Sequence, residues 1–333
     1  MIDSTLPHAL TRLLVDHRAA HDPHYPPSDN SDHGPMTYLA MHGLGIRIPA
    51  IERFSDQYRR KLVSYPPPNY TVGKHDWSLH LGRRESYSAL LSFFDAEIAA
   101  EGWQGTVARY LPALISGWVK DAFHPIIRLG YGIEFEAASE IAAGLAYLTI
   151  TGDDLRMNAI ADRPVTDSSG RSYLTSIRAA CDPAYSRGPF NARYNRIIDT
   201  ANVLPAMDGV HGVLSEVSRA CLEVFHATHD FFALHLVTAS HAFRICAPWA
   251  GPNSNSLYSA GIGAAYLAIG APAFDPVART TAILPIDALS MATDEHDIKL
   301  AYSCLAQSRA FGDPTYEWAA SRYLQPRLRQ ERR

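Results

Sequence analysis

Apolar side chains recur along this chain at intervals of three and four, and alternation at intervals of two is almost absent. That spacing lines one face of an α-helix, whereas a half-buried strand needs a period of two. Residues 84–100 carry Tyr87, Leu90, Leu91, Phe94 and Ile98 on one such face. The stretches from about Ala122 to Thr149, Met207 to Thr228 and Phe231 to Ile245 follow the same rule. Proline and glycine clusters at 23–35, 64–73, 151–170 and 247–256 punctuate them. The pattern predicts an all-α domain of roughly ten to twelve helices, spanning residues 1–333 as one unit. The polar stretch near 151–171 reads as a long surface loop dividing two helical lobes.

A length of 333 residues, 47% of them hydrophobic and 19% charged, suffices for a large buried core. With a net charge of −4 and no run of five like charges, the chain lacks the electrostatic footprint of a nucleic-acid or anionic-membrane binder. Cys181, Cys221, Cys246 and Cys304 are scattered without CxxC spacing, as expected of small buried residues in a reducing compartment. The first eighteen residues lack a basic-then-apolar signal pattern, and no apolar run reaches the roughly 18 residues that cross a bilayer. A cytoplasmic location is the expectation. Oligomeric state stays open.

Four segments that look buried each contribute a histidine: His33 in DHGPM, His124 in DAFHPIIRLGYG, His235 in FFALHLVTASHAFR and His296 in TDEHDIKLAYSC. Neutral imidazole is a borderline ligand suited to iron, zinc, copper or nickel, and helices can hold several facing one interior. A single core histidine is more often a hydrogen-bonded structural residue, so both readings stand. His296 and Lys299 lie three apart in a helix predicted to begin near Thr293, which puts them on one face. An ammonium repels a cation, so Lys299 can serve a metal only if burial removes its proton. The neutral amine can then take up carbon dioxide as a carbamate, an anionic oxygen donor. His235 and His241 are six apart and face different directions. His235, on one stripe with Thr238 and Ala242, is the candidate ligand; His241 is a candidate contact to a ligand or substrate.

Other motifs carry less. The HATHD run at 226–230 has the His-Asp doublet of helical metal-dependent phosphohydrolases, but HD also occurs at 21–22, 75–76 and 296–297. GIGAAYLAIG at 261–270 lacks the third glycine of a dinucleotide fingerprint and reads as close helix packing. GxSxG, Walker A, HExxH and DxDxDG motifs are absent.

The segments DHGPMTYLAMHGLG, WSLHLGRRESYSALLSFFDAEIAAEGW, DAFHPIIRLGYGIEFEAASEIAAGLAYL, LHLVTASHAFR and DEHDIKLAYSC resemble, in order, the successive blocks of the questin oxidase-like family. The resemblance covers about residues 30–310, and the AFHP-RLGYG-E block is its most specific part. It implies an all-helical fold and a mononuclear non-haem Fe(II) held by four histidines and a carboxylated lysine. Carried over, the ligands are His33, His124, His235, His296 and the carboxylated Lys299, a set of net charge +1 with one octahedral position open for O2.

The implied activity is oxidative C–C cleavage or Baeyer-Villiger-type oxygen insertion in an anthraquinone-like aromatic polyketide. An NADPH cosubstrate is possible in such chemistry but unsupported by any motif. The chain departs from the family in having Asp32 where asparagine is usual, Gly34 where leucine is common, and a shorter length than fungal members. Asp32 is expected to orient an imidazole or to cap the next helix. Trp118, Phe123, Tyr131, Phe231 and Phe232 are candidates for lining a flat pocket, and Arg128 for contacting substrate or pairing with Glu134. A helical metal-dependent hydrolase and a non-catalytic helical binding protein are the alternatives, separable by metal content.

Overall fold

The computed structural model describes residues 6–27, 30–162, 168–200, 204, 207 and 213–331. Fifteen α-helices occur among them, more than the ten to twelve predicted, because short helices form where the sequence reads as loop. In chain order they are α1 (His8–Ala20), α2 (Gly34–Gly43), α3 (Ile48–Tyr58), α4 (Tyr87–Leu114), α5 (His124–Glu134), α6 (Ala138–Thr151), α7 (Leu155–Ala161) and α8 (Gly170–Arg178). There follow α9 (Phe190–Asp199), α10 (Val213–Thr228), α11 (Phe231–Cys246), α12 (Ser254–Ala268), α13 (Ile286–Leu289), α14 (Glu295–Phe311) and α15 (Thr315–Glu331). None of the described helices is long and apolar enough to cross a membrane.

Two expectations need correction. The supposed loop at 151–170 contains α7, whose apolar Met157 and Ile160 are buried and whose first turn is capped by Asp154 accepting from the Arg156 amide. Residues 163–167 of that stretch lie outside the described residues. The apolar run from Ala122 to Thr149 is two helices, α5 and α6, separated by a turn in which Glu136 has φ of 51°. Strand pairing, which the pattern did not suggest, occurs once among the described residues, where His24–Tyr25 pairs antiparallel with Asn30–Ser31.

One continuous apolar core runs through the described residues, and α2, α5, α11 and α14 all contribute to it. They pack as a ring: α2 on α5, α5 on α11, α11 on α14, and α14 back on α2. Glycine permits close helix approaches here. A Cβ on Gly130 of α5 would stand 2.8 Å from the Ala242 backbone of α11, and one on Gly144 of α6 would stand 2.6 Å from Leu129 Cα of α5. The RLGYG block is thus legible as helix-packing chemistry. A buried ion pair between Arg128 Nε and Glu140 Oε2, at 2.8 Å, ties α5 to α6.

Candidate metal centre

Each helix of the ring brings a histidine at or near its N-terminal end. His33 immediately precedes α2, His124 is the first residue of α5, His235 sits in the second turn of α11, and His296 is the second residue of α14. Local chemistry places these starts. Pro125 is tolerated in the first turn of α5, where no amide donor is needed. Asp230 caps α11 by accepting from the Phe232 and Ala233 amides, and Asp294 caps α14 by accepting from the His296 amide.

The four rings meet. Centroids are 4.4 Å apart for His33 and His124, 5.0 Å for His124 and His235, 5.3 Å for His235 and His296, and 4.6 Å for His296 and His33. Across the ring His33 and His235 are 6.3 Å apart. Lys299, one turn beyond His296 and fully buried, puts its Nζ 2.6 Å from His33 Nδ1.

Hydrogen bonds fix which nitrogen of each ring is bare. His124 Nδ1 donates to the Asp121 carbonyl at 2.5 Å, His235 Nδ1 to the Phe231 carbonyl at 2.8 Å, and His296 Nδ1 to Asp294 Oδ1 at 3.0 Å. These oxygens only accept, so each Nδ1 carries the proton and each Nε2 keeps its lone pair. The Nε2 atoms of His124, His235 and His296 are all buried with no protein partner.

Burial and mutual repulsion hold the cluster neutral. Burial, then the charge of Lys299, pushes His124 down to about 3, and the same two causes hold His33 well below the usual imidazole range. His235 is likewise far depressed by burial and by His124, and His296 is lowered chiefly by burial. Burial also pushes the Lys299 amine down to about 7. Helix N-termini carry partial positive charge, so four of them around one point disfavour protonation of any group there and favour an anion.

A metal fits this arrangement. A buried lone pair without a donor costs about 1–3 kcal/mol, a cost that a cation bound among these rings would relieve. Lys299, buried and stripped toward its neutral form, meets the condition for a carbamate. One distance set points to a residue that the sequence reading missed. His33, Glu295 and His296 form the one group of His, Cys, Asp and Glu donors among the described residues whose atoms all lie within 4.8 Å of one another. The donor atoms of His124 and His235 are not part of that group.

A cavity of about 520 Å³ opens beside the cluster and is lined by His33, His124 and His296. Phe190, Phe231 and Phe232 form its apolar side, with the rings of Phe190 and Phe232 stacked at 5.1 Å. The paired strands supply a polar wall through His24, Tyr25, Asn30 and Ser31, joined by Asp121 and Asn191. A hydrogen-bonded chain runs along it. Ser31 Oγ meets Tyr147 Oη at 2.9 Å, Tyr147 Oη meets His24 Nε2 at 3.1 Å, and His24 Nε2 meets Asp121 Oδ2 at 2.9 Å. Of this wall the sequence offered one signal, that Asp121 lies three residues before His124.

Several predicted contacts fall elsewhere. His241 sits between Ser303 Oγ, 3.1 Å from its Nδ1, and Glu134 Oε2, 3.0 Å from its Nε2, and does not line the cavity. Arg128 pairs with Glu140 rather than with Glu134, and it is not among the residues lining the cavity. Asp32 does orient an imidazole, but it is that of His17, at 2.8 Å, and it also accepts from the Gly34 amide. Thr238 hydrogen-bonds the His235 carbonyl within α11. Trp118 packs on Phe243 and Tyr258, Phe123 on Trp118 and Phe190, and Tyr131 on Tyr302, so of the five aromatic candidates only Phe231 and Phe232 line the cavity.

The chain is an all-α domain that gathers four histidines and a buried lysine near the starts of four helices. Residues 30–304 match the questin oxidase-like family, and the chain belongs to it. It is 26% identical over 287 residues to a questin oxidase of Aspergillus terreus, covering 73% of this chain and 64% of that relative. It is 45% identical over 64 residues to the Baeyer-Villiger oxidase notM of an Aspergillus species, covering 17% of this chain and 16% of that protein. A Baeyer-Villiger monooxygenase, dmxR6, of a Cryptosporiopsis species is 38% identical over 73 residues, 20% of this chain and 16% of the relative. The chain therefore spans less than two thirds of the length of the relatives it matches.

Proposed function

We propose that this protein is a non-haem Fe(II)-dependent oxygenase that cleaves a C–C bond or inserts oxygen in an anthraquinone-like aromatic polyketide. His33, His124, His235 and His296 hold the iron, together with Lys299 as a carbamate. The observation that carries this reading is the set of three buried Nε2 lone pairs on neighbouring rings, each fixed by a hydrogen bond at Nδ1. The names of the relatives, oxidases and Baeyer-Villiger oxygenases, supply the reaction class. Iron held there would supply the binding and activation of O2, with electrons drawn from the substrate or a cosubstrate.

The chain's own residues do the rest. Stacked Phe190 and Phe232, with Phe231 at the ring edges of His235 and His296, offer a flat apolar face to a polycyclic ring. The polar wall offers Ser31, Asn30, Asn191 and the His24–Asp121 pair to the phenolic and carbonyl oxygens of such a ring. The converging helix starts favour a phenolate over a phenol at the cluster.

The test is metal analysis of protein purified without chelator, followed by oxygen uptake on an anthraquinone substrate with and without NADPH. Stoichiometric iron and substrate-dependent uptake are expected. Zinc or manganese with no uptake would instead support a hydrolase, and absence of any metal would support a binding protein.

A further inference from the structure

We propose that Glu295 is an additional anionic donor to the cation held by this cluster, exchanging between that cation and Lys61. The inference rests on the metal reading above and extends it to a residue outside the histidine and lysine set. Glu295 is the first residue of α14, adjacent to His296 and one helical turn before Lys299, so all three share the face turned to the cluster. Its side chain is 11% exposed and lines the cavity. With His33 and His296 it forms the tightest donor group among the described residues.

Charge explains why a carboxylate belongs there. Four imidazoles are neutral, the surrounding helix ends are partly positive, and a divalent ion among them needs nearby anions. A carbamate on Lys299 would provide one negative charge and needs carbon dioxide to form. The Glu295 carboxylate is a second anionic group, and it needs no carbon dioxide to form. Without an ion the carboxylate is kept paired. Lys61 Nζ is 2.9 Å from Glu295 Oε1 and sits 4.1 Å above the Tyr58 ring, on a side chain 40% exposed to solvent. A partly solvated pair of this kind is weak enough to give way to a divalent ion.

Binding of Co2+ to the metal-free full-length protein, followed by calorimetry and by its visible absorption, tests the inference. Glu295→Gln keeps the side-chain shape and removes the charge; it should bind Co2+ at least about tenfold more weakly and with an altered spectrum. Lys61→Met frees the carboxylate and should tighten binding by up to about fivefold. Wild-type affinity and spectrum in Glu295→Gln, while His124→Ala loses binding, would overturn the role of Glu295 and leave the metal reading intact. No Co2+ binding by the unaltered protein would overturn both. Should Glu295→Gln prove misfolded by circular dichroism, unchanged or weakened binding in Lys61→Met overturns the proposal alone.

Discussion

Lys299 Nζ lies 2.6 Å from His33 Nδ1, inside a protein that leaves neither atom exposed to water. Two cationic groups cannot share that space, so at least one of the pair is neutral. Burial acts on both, and the amine, pushed down to about 7, is the more reactive once its proton has left. Lys299→Met removes the amine at nearly constant volume. Iron content should fall at least about tenfold with little change in far-ultraviolet circular dichroism. Depletion of carbon dioxide and bicarbonate during reconstitution should lower activity in the unaltered protein, and bicarbonate should restore it. Indifference to bicarbonate, with no added mass on Lys299, would refute the carbamate.

Metal removal should register in stability as well as in activity. An ion that binds only the folded protein stabilises it by about 2.7 kcal/mol at a hundred times its Kd. A chelator should therefore lower the melting temperature of the iron-loaded protein. His124→Ala, which deletes one buried unpartnered Nε2, should melt at the same temperature with and without chelator. Equal chelator shifts in both proteins would place the ion somewhere else.

Asp154 gives a pH dependence remote from the cluster. Burial raises its carboxyl, but hydrogen bonds from Arg156 and Tyr194 and the charge of Lys120 outweigh that, and its folded value lies below the usual one. A depressed carboxylate contributes stability that is fully present above the unfolded value, about 3.9, and is lost as pH falls through the folded value. Asp154→Asn should thus be less stable than wild type at neutral pH, by about 1–3 kcal/mol for a charged hydrogen-bonding group. The difference should shrink as pH drops below about 4. Denaturant unfolding at several pH values measures it, and a gap that widens toward acid would contradict the assignment.

The helices were legible because their apolar faces repeat at the helical period, and α4 shows it from Tyr87 to Ile98. Their number was less so, since α7 and α13 have only seven and four residues, too short for a period to register. The five metal candidates could be named through resemblance, and the structure brings them together. Spacing alone could not distinguish them from His17, buried beside Asp32 and Tyr38 as a purely structural imidazole. Of the polar wall, only the place of Asp121 three residues before His124 was legible. The wall's residues come from a two-residue strand pair, an exposed-looking turn and α9, and nothing periodic joins them.

The least legible feature is the turn before His124. Asp121, Ala122 and Phe123 have φ of 51°, 51° and 71°, three successive left-handed residues, none of them glycine. Each such residue costs about 1–2 kcal/mol relative to the right-handed form, so the turn persists only because its surroundings fix it. Asn191 does much of this: its Oδ1 accepts from the Asp121 amide at 2.8 Å and its Nδ2 donates to Asp121 Oδ1 at 2.6 Å. The strain delivers two groups at once, the carbonyl that fixes His124 Nδ1 and the carboxylate that meets His24. Ala122→Gly should relieve the strain and raise stability slightly, by up to about 1 kcal/mol after the entropic cost of glycine. Asn191→Ala should do the opposite by about 1–3 kcal/mol and weaken metal binding, because the Asp121 carbonyl is no longer held under His124. Thermal melts and Co2+ titrations of the two variants decide it: a destabilised Ala122→Gly, or an Asn191→Ala that binds Co2+ as wild type does, would show that the turn is not what positions His124.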